Sequence, residues 1–239
     1  MPKAILFDLD GTLLNIDMEV FLQYYFAEMI SALQLYECVD AKKIAQQVYL
    51  STEVMLNDRS PEVLNEEAFM NDFLVNCGHP EPDARSFFDR FYLERFPSLK
   101  IHCQPFPGIP EMMESLFAHG FKVVIATNPV FPREAIQQRL EWAGIGGFPY
   151  AMVTSYEEMH FCKPHVEYYE EICRRIGVEP QQSWMVGNDM GEDLPAGQIG
   201  IKTLLVEDML IDKGQNDLKP DWRGSINAMT EIMKNLRPS

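Results

Sequence analysis

The chain has 239 residues, of which 36 are acidic and 20 are basic, so its formal net charge at pH 7 is −16. Hydrophobic residues make up 46% of the chain, which excludes a disordered or collagen-like protein and allows a substantial core. The surplus of negative charge excludes a broad electrostatic contact with nucleic acid or with an anionic membrane, because both require clustered lysine and arginine. Small anions are not excluded, since they need only a local site.

The cysteines and the amino-terminal residues bear on the compartment of the protein. The five cysteines are scattered and form no Cys-x-x-Cys pair, so we expect reduced thiols without a disulfide framework or a structural zinc site. Asp8 interrupts the first apolar run too early for a signal peptide, and no window of about 18 residues is apolar enough to span a membrane. These features predict a soluble, cytoplasmic protein.

The first predicted elements are a buried strand and a helical domain. The apolar run Ala4–Phe7 precedes the polar sequence Asp-Leu-Asp-Gly-Thr at residues 8–12. Such a run is typical of a strand that is buried on both faces and ends in a loop. From about residue 17 to residue 96, apolar residues recur at helical spacing with almost no strand-like alternation. This stretch predicts a small helical domain, which we assign to residues 16–100.

Strand and helix patterns alternate from about Gly108 onward. Further strands are predicted at residues 121–126, 151–154, 184–186 and 201–206, and helices at residues 110–119, 132–142, 165–176, 193–199 and 226–236. Because parallel neighbours need crossover connections, this alternation predicts an α/β fold, a doubly wound parallel sheet with helices on both faces. Residues 1–15 and 101–239 would then form a Rossmann-like core domain into which the helical domain is inserted.

Residues that can carry chemistry follow several of the predicted strands. In an open parallel sheet, ligands bind outside the carboxyl ends of the strands, so residues at those positions are expected to meet. They are Asp8 and Asp10, Thr127 and Asn128, Lys163, and Asp189 and Asp193. The sequence therefore predicts carboxylates, a hydroxyl group and one lysine at a common edge of the sheet.

This combination of side chains suits phosphoryl transfer. Carboxylates in one cleft repel one another unless a hard divalent cation neutralises them, and oxygen ligands favour Mg²⁺. Asp8 is then the candidate nucleophile toward phosphorus, and Asp10 is the candidate general acid and base. Thr127 and the backbone amide of Asn128 are suited to hold phosphoryl oxygens, and Lys163 is suited to bind the phosphate as a point charge.

Four ordered motifs carry a resemblance to a known family. They are Asp-Leu-Asp-Gly-Thr at residues 8–12, a threonine after the second core strand, Lys163-Pro164, and Gly-Asn-Asp at residues 187–189 followed by Asp193. The series resembles the haloacid dehalogenase (HAD) superfamily, and in particular its phosphatases with a helical cap between the first and second motifs. The resemblance spans nearly the whole chain and implies that the helical domain is such a cap.

The resemblance also implies a role for each motif. Asp8 would be the nucleophile, Asp10 the general acid and base, and Thr127 and Lys163 the phosphate-binding residues. The implied Mg²⁺ ligands are the Asp8 carboxylate, the Asp10 carbonyl and the Asp189 carboxylate. These assignments agree with the chemistry argued from the residues themselves.

The fourth motif departs from the family pattern. It usually begins Gly-Asp, whereas Asn188 intervenes here. The metal site therefore includes either Asp189, with Asp193 four residues later, or Asn188, with Asp193 five residues later. We prefer Asp189, because a carboxylate holds Mg²⁺ more strongly than a neutral amide does. Asp193 is implied as an outer or alternative ligand.

Each motif also has an ordinary structural interpretation. Asp-Gly is a common turn dipeptide, and Thr127 or Asn128 could cap a helix. Lys163 could be a surface charge, and Asp193 could be a first-turn acid that favours the helix dipole. The occurrence of all the motifs in order favours the functional interpretation.

The leading hypothesis is a Mg²⁺-dependent phosphohydrolase that cleaves a small phosphorylated metabolite through an aspartyl-phosphate. A phosphomutase shares every core residue and is the alternative. A dehalogenase needs neither the second aspartate nor the metal ligands, and a signalling receiver domain needs a shorter chain without a helical insertion. The sequence leaves the substrate and the oligomeric state open.

The helical domain is rich in aromatic residues, among them Tyr24, Tyr25, Phe26, Phe87, Phe88 and Phe91. Packing within the helical core explains them most simply. In the resembled family the cap closes over the substrate, which implies that some of these rings face the site. Arg133, near the start of the helix after the second motif, is a further candidate contact to the substrate.

Overall fold

The computed structural model describes residues 2–35, 40–78, 81–214 and 217–237. Its strands are β1 (Ala4–Phe7), β2 (Leu14–Asn15), β3 (Gln104–Pro105), β4 (Lys122–Ile125), β5 (Met152–Val153), β6 (Ser183–Gly187), β7 (Lys202–Val206) and β8 (Trp222–Gly224). Six of them form one parallel sheet in the order β5-β4-β1-β6-β7-β8. The other two, β2 and β3, pair antiparallel with each other.

The described helices connect these strands, except that the last helix follows the last strand. They are α1 (Met18–Leu35), α2 (Ala41–Asn57), α3 (Asn65–Cys77), α4 (Glu81–Arg90), α5 (Ile109–Ala118), α6 (Arg133–Trp142), α7 (Val166–Ile176) and α8 (Ile226–Asn235). A π-helical turn (Phe91–Arg95) and a 3₁₀ segment (Phe96–His102) follow α4. Short 3₁₀ segments also occupy Pro180–Gln182 and Leu194–Ile199.

The strand β1 lies at the centre of the sheet, between β4 and β6. All of its residues are fully buried, and Leu6 pairs with Val124 of β4 and with Met185 of β6. An unbroken apolar sequence is what a strand covered on both faces requires. Consequently Asp8, the next residue, lies at the carboxyl edge in the middle of the sheet.

The side chains of β1 alternate between two hydrophobic clusters, one on each face of the sheet. Ile5 and Phe7 pack in the larger cluster, which continues through the inserted helices. Ala4 and Leu6 pack in the smaller cluster, together with the buried residues of α7. This alternation is the two-residue period of a strand. The predicted α/β architecture, a parallel sheet with helices on both faces, is confirmed.

The helices α1 to α4 form a segment inserted between β2 and β3. Leu14 lies opposite Pro105 and Asn15 lies opposite Gln104 in the antiparallel pair, so the chain enters and leaves the inserted segment along one two-stranded ribbon. Apolar residues of the inserted helices and of the sheet belong to one continuous cluster. The domain boundaries assigned to residues 16 and 100 fall beside this ribbon and stay a prediction.

The predicted core strands agree with the observed ones to within one residue at each end. The sequence analysis missed β8, in which Arg223 pairs with Leu205 of β7, because three residues are too few to show a strand pattern. The helix predicted at residues 193–199 is a short 3₁₀ segment. Its sequence contains Pro195 and Gly197, both of which disfavour an α-helix.

The described cysteines are free thiols, as their spacing predicts. They are Cys77, Cys103, Cys162 and Cys173. Cys38 lies outside the described residues. None of the helices in the described part of the chain is long and apolar enough to cross a membrane.

Candidate active site

A tight turn after β1 presents the first two carboxylates. Gly11 has a φ of +83°, a left-handed conformation that glycine adopts without steric cost, and the N–H of Leu14 donates to the carbonyl of Leu9 at 2.9 Å. Asp8 and Asp10 flank Leu9, the first residue of this turn. Both aspartates border a cavity of about 920 Å³. The turn therefore brings two residues of the first motif to one opening.

A buried lysine joins two carboxylates at the edge of the sheet. Nζ of Lys163 donates to Oδ1 of Asp8 at 2.9 Å and to Oδ1 of Asp193 at 2.7 Å. Lys163 is only 1% exposed, so these contacts are shielded from water. Three residues that the sequence analysis took from three separate motifs are thus in direct contact.

Burial dominates the electrostatics of this cluster. It raises the pKa of Asp8 to about 8; the charge of Lys163 opposes this shift, and the charges of Asp193 and Asp10 add to it. Burial also acts to lower the pKa of Lys163, but the charges of Asp193 and Asp8 outweigh burial and raise that pKa well above its usual value. Lys163 therefore stays protonated and favours the ionised form of Asp8.

Asp10 is paired with an arginine that the sequence analysis did not single out. A guanidinium nitrogen, Nη1 of Arg139, donates to Oδ2 of Asp10. Arg139 is fully buried, and its guanidinium carbon lies 4.5 Å from the centre of the Phe131 ring. Burial raises the pKa of Asp10, and the charge of Arg139 opposes that shift. Oδ1 of Asp10 has no hydrogen-bond partner among the described residues, so Arg139 leaves this carboxylate oxygen unengaged.

The helical pattern of α6 contains a signal that would have identified Arg139. Arg139 follows the buried Ala135 by four residues and the buried Ile136 by three, so it lies on the apolar face of the helix. A charged residue in that position indicates a buried ionic partner. Arg133, the candidate substrate contact on the same helix, instead pairs with Glu158, and its side chain is 62% exposed. Arg133 does not border the cavity.

Thr127 and Asn128 follow β4 and border the cavity. The Asn128 side chain forms two hydrogen bonds with the backbone of Lys163. Its Oδ1 accepts from the Lys163 N–H at 3.2 Å, and its Nδ2 donates to the Lys163 carbonyl at 3.5 Å. The carbonyl of Thr127 accepts hydrogen bonds from the hydroxyl groups of Thr154 and Tyr168 at 2.7 and 2.8 Å. The second and third motifs thereby hold each other in place.

Asn188 and Asp189 both border the cavity, but their side chains are engaged differently. Oδ1 of Asn188 accepts from the Thr12 hydroxyl at 3.0 Å, and Nδ2 donates to the Met209 carbonyl at 2.6 Å. Oδ1 of Asp189 accepts from two backbone N–H groups of the following turn at 2.7 and 3.0 Å. Both polar atoms of the Asn188 amide thus have protein partners, whereas these bonds engage one oxygen of Asp189.

Asp193 lies inside the site and is not an exposed residue at the start of a helix. It is 2% exposed, and its Oδ2 accepts from the backbone N–H of Asp189 at 3.0 Å. Gly187, at the end of β6, makes room for this carboxylate, because a Cβ at that position would lie 1.9 Å from Oδ2 of Asp193. The fourth motif therefore requires glycine at residue 187, because the Asp193 carboxylate lies too close to leave room for a side chain.

Glu192 is a further acidic residue at the cavity, and the sequence analysis missed it. Burial raises its pKa to about 7; the charge of Lys163 opposes this shift, and the charges of Asp189 and Asp193 add to it. The carbonyl of Glu192 accepts a hydrogen bond from the Tyr169 hydroxyl. No local pattern distinguishes this glutamate from the other acidic residues of the chain, so only the fold identifies it.

Comparison with known proteins identifies the family. A family model described as haloacid dehalogenase-like hydrolase matches residues 2–199. The chain therefore belongs to the haloacid dehalogenase-like hydrolases. The resemblance drawn from the four motifs is confirmed.

The similar proteins include phosphatases. A glyceraldehyde 3-phosphate phosphatase from Methanothermobacter thermautotrophicus is 28% identical over 224 residues, which cover 89% of this chain and 88% of that protein. A phosphoglycolate phosphatase from Agrobacterium fabrum is 25% identical over 220 residues, which cover 92% of this chain and 86% of that protein. The crystal structure of a HAD phosphatase from Thermococcus onnurineus shares the fold, with a TM-score of 0.61, 19% identity, and coverage of 99% of this chain and 100% of that one. The phosphatase relatives indicate a hydrolase that acts on phosphate esters.

Arg139→Met is expected to lower the free energy of unfolding by about 3–5 kcal/mol, because it leaves the buried Asp10 carboxylate without its partner. Adding Asp10→Asn should recover part of this loss, since the amide carries no charge. Chemical denaturation of the two single variants and the double variant measures the coupling. As a control, Arg223→Met removes a half-exposed ion pair with Glu207 and should cost less than about 1 kcal/mol. Equal losses in Arg139→Met and the double variant would contradict the explanation.

Gly187→Ala is expected to destabilise the protein by about 1–3 kcal/mol, because the added methyl group overlaps the Asp193 carboxylate and forces it to shift. Gly147→Ala is the matched control, since a Cβ at residue 147 would have no heavy atom within 4 Å. Its effect should stay within about 0.5 kcal/mol. Thermal or chemical unfolding measures both variants, and equal stabilities would show that Asp193 does not require the glycine.

Proposed function

We propose that the protein is a Mg²⁺-dependent phosphatase that hydrolyses a small phosphorylated metabolite through a covalent aspartyl-phosphate on Asp8. The observation that carries this proposal is the position of Asp8, which borders the cavity beside Thr127 and accepts a 2.9 Å hydrogen bond from the buried Lys163. A carboxylate held by a buried cation at the end of a strand is suited to nucleophilic attack. The phosphatases among the relatives support the same class of reaction.

In the first step, a carboxylate oxygen of Asp8 forms a bond to phosphorus, and the bond between phosphorus and the ester oxygen breaks. Asp10 donates a proton to the departing oxygen. Arg139 holds Oδ2 of Asp10, which leaves Oδ1 as the oxygen that delivers the proton. Burial raises the pKa of Asp10 and so favours the protonated form that this step requires.

In the second step, a water molecule attacks phosphorus, and the bond between phosphorus and Asp8 breaks. Asp10, which lost its proton in the first step, accepts the proton of this water. The products are inorganic phosphate and the free Asp8 carboxylate, so the enzyme returns to its starting state. Lys163 remains paired with Asp193 throughout and offsets the negative charge on the phosphoryl oxygens.

Thr127 and Asn128 supply the neutral contacts to the phosphoryl group. The Thr127 hydroxyl and the backbone N–H of Asn128 are the proposed donors to its oxygens. The Asn128 side chain is already engaged with the backbone of Lys163, so its backbone rather than its amide is the proposed contact. This arrangement ties the position of the phosphate to the position of the lysine.

The charge balance at the cavity fits a divalent cation. Two buried cationic side chains, Lys163 and Arg139, face a larger set of carboxylates: Asp8, Asp10, Asp189, Glu192 and Asp193. An additional cation would reduce the repulsion among them. All the donors at this end of the cavity are oxygen atoms, which suit Mg²⁺.

The proposed Mg²⁺ ligands are the carboxylates of Asp8 and Asp189 and the backbone carbonyl of Asp10. In the described part of the chain, no three His, Cys, Asp or Glu side chains form a metal-binding group, so water would complete the coordination, as Mg²⁺ commonly allows. Bound Mg²⁺ would neutralise and orient the phosphate. Asp193 is an outer partner because Lys163 and a backbone N–H already engage its oxygens, and Asn188 is the alternative ligand.

The inserted helices are proposed to act as a cap domain over the site, with the boundaries at residues 16 and 100. The cavity supports this role because residues of both the sheet loops and the inserted helices border it. A cap of this kind would exclude water from the phosphoryl group and select the rest of the substrate.

Asp8→Asn is expected to reduce phosphate release by about three orders of magnitude or more, because the amide is a poor nucleophile. The fold should persist, since the two side chains have the same shape and Lys163 keeps Asp193 as a partner. The assay is phosphate release from a panel of phosphorylated metabolites and aryl phosphates. The exposed Asp89→Asn on α4 is the control and should retain full activity.

Two outcomes of this assay would change the proposal. Full activity in Asp8→Asn would show that Asp8 is not the nucleophile. Movement of phosphate between positions of a sugar phosphate, without release of inorganic phosphate, would indicate the phosphomutase.

Removal of divalent cations with EDTA is expected to stop phosphate release, and added Mg²⁺ is expected to restore it. Asp189→Asn should raise the Mg²⁺ concentration needed for half-maximal activity by about tenfold or more, because it replaces a charged ligand with a neutral one. Asn188→Ala should shift that concentration less. A larger shift in Asn188→Ala would assign the ligand to Asn188, and unchanged activity in EDTA would contradict the metal requirement.

A further inference from the structure

We propose that the substrate is a phosphate monoester whose leaving group is an uncharged, mainly apolar ring system. This inference rests on the proposed phosphatase function and specifies the substrate class of the same site. The observation behind it is the cavity of about 920 Å³ that extends from Asp8 and Asp10 to the aromatic side chains of the inserted helices. The composition of its wall decides what can occupy it.

The inner wall of the cavity is aromatic. The rings that border it include Tyr25, Phe69, Phe88, Tyr92, Phe131 and Tyr156, and all of these except Tyr156 are buried. Some of them pack edge to face, as do Tyr25 and Phe131, whose centroids are 5.5 Å apart, and Phe69 and Phe88, at 5.8 Å. A wall of fixed rings offers a ring-shaped ligand stacked and edge-to-face contacts.

The polar atoms of this inner wall are largely satisfied within the protein. The hydroxyl groups of Tyr25 and Tyr92 share a 2.8 Å hydrogen bond, and the hydroxyl of Thr52 donates to the carbonyl of Val48 at 2.8 Å. A leaving group with many hydroxyl groups, such as a sugar, would lose its hydrogen bonds to water without gaining equivalents here. The wall therefore favours an apolar leaving group over a polyhydroxylated one.

The wall also lacks the cations that a second anionic group would require. Among the described residues that border the cavity, only Lys213 is basic, while Lys163 and Arg139 are already ion-paired. The exposed residues at the border add negative charge: Asp17, Glu19, Glu53, Glu207 and Asp208. A leaving group with a carboxylate or a further phosphate would be desolvated and repelled.

The size of the cavity agrees with a ring system. Pockets that enclose drug-sized ligands have volumes of about 300–1,000 Å³, and this cavity, at about 920 Å³, lies at the upper end of that range. A phosphate ester of two or three carbon atoms would leave the aromatic part of the cavity without contacts. An aromatic ring would contact these side chains and bury apolar surface on both of its faces.

Binding of phosphonates, which are not hydrolysed, tests the wall separately from the chemistry. The wild-type protein is titrated with benzylphosphonate, (4-carboxybenzyl)phosphonate and methylphosphonate by calorimetry in buffer that contains Mg²⁺. Benzylphosphonate is expected to bind about tenfold more tightly, or better, than either of the others. Equal affinities, tighter binding of the carboxylated compound, or no binding of benzylphosphonate would overturn the inference.

A pair of charge variants on α1 tests the cause of this preference. Leu22 borders the cavity, whereas the neighbouring Gln23 is exposed and does not. Leu22→Arg is expected to reduce the preference for benzylphosphonate over the carboxylated compound by about fivefold or more, and Gln23→Arg should leave it unchanged. Thr52→Arg, at the cavity border on α2, serves the same purpose if Leu22→Arg does not fold. Equal effects of the cavity variant and the control would overturn the inference.

Failure of this inference is distinguishable from failure of the phosphatase proposal. Phosphate release from phenyl phosphate and from 4-carboxyphenyl phosphate, measured with the wild type and Asp8→Asn, reports on the chemistry. Release that persists in Asp8→Asn, or no release from any ester, would contradict the proposed function. The phosphonate affinities would still show whether the cavity wall prefers an uncharged ring, because binding requires no turnover.

Discussion

The site depends on the ammonium group of Lys163, which is buried between the carboxylates of Asp8 and Asp193. A buried ammonium group is tolerated only when it is paired and hydrogen-bonded, because the cost of removing its water is large. The rest of the site meets this requirement: Asn128 holds the lysine backbone, and Gly187 leaves space for the Asp193 carboxylate. One electrostatic constraint therefore joins the loops after β1, β4 and β6 and the segment before α7.

A second buried pair, Arg139 with Asp10, repeats this arrangement on the other carboxylate of the first motif. The two aspartates of one turn are thus held by cations from different parts of the chain. Each pair fixes one oxygen of its carboxylate and leaves the other oxygen with a weaker partner or none. Oδ2 of Asp8 accepts only a 3.4 Å hydrogen bond, from the Thr12 hydroxyl. Oδ1 of Asp10 has no hydrogen-bond partner among the described residues. Such pre-positioned but incompletely engaged oxygens suit a nucleophile and a proton donor.

The two ends of the cavity are lined by different kinds of side chain. Its sheet end concentrates charge, and its helical end is lined by rings that belong to the same continuous hydrophobic cluster as the sheet. The two ends meet because the inserted helices enter and leave along the ribbon of β2 and β3, directly after the first motif. The fold therefore brings charged side chains and aromatic rings to one cavity, and under the proposed function the former would carry the chemistry and the latter would select the substrate.

The sequence by itself determined the α/β fold, the buried first strand and the order of the motifs, because hydrophobic periodicity and strand-end positions are local properties. It also predicted that Asp8 and Lys163 meet at one edge of the sheet, where the structure has them in contact, since both lie beside predicted strands or helix starts. Only the tertiary structure decided that Arg139 pairs with Asp10, that Glu192 borders the cavity, and that Tyr25 faces it while its neighbour Tyr24 does not. Those facts depend on how distant segments pack. Two residues 129 positions apart, such as Asp10 and Arg139, leave no periodic signal of their contact, because the spacing of residues along the chain does not encode the space between its helices and strands.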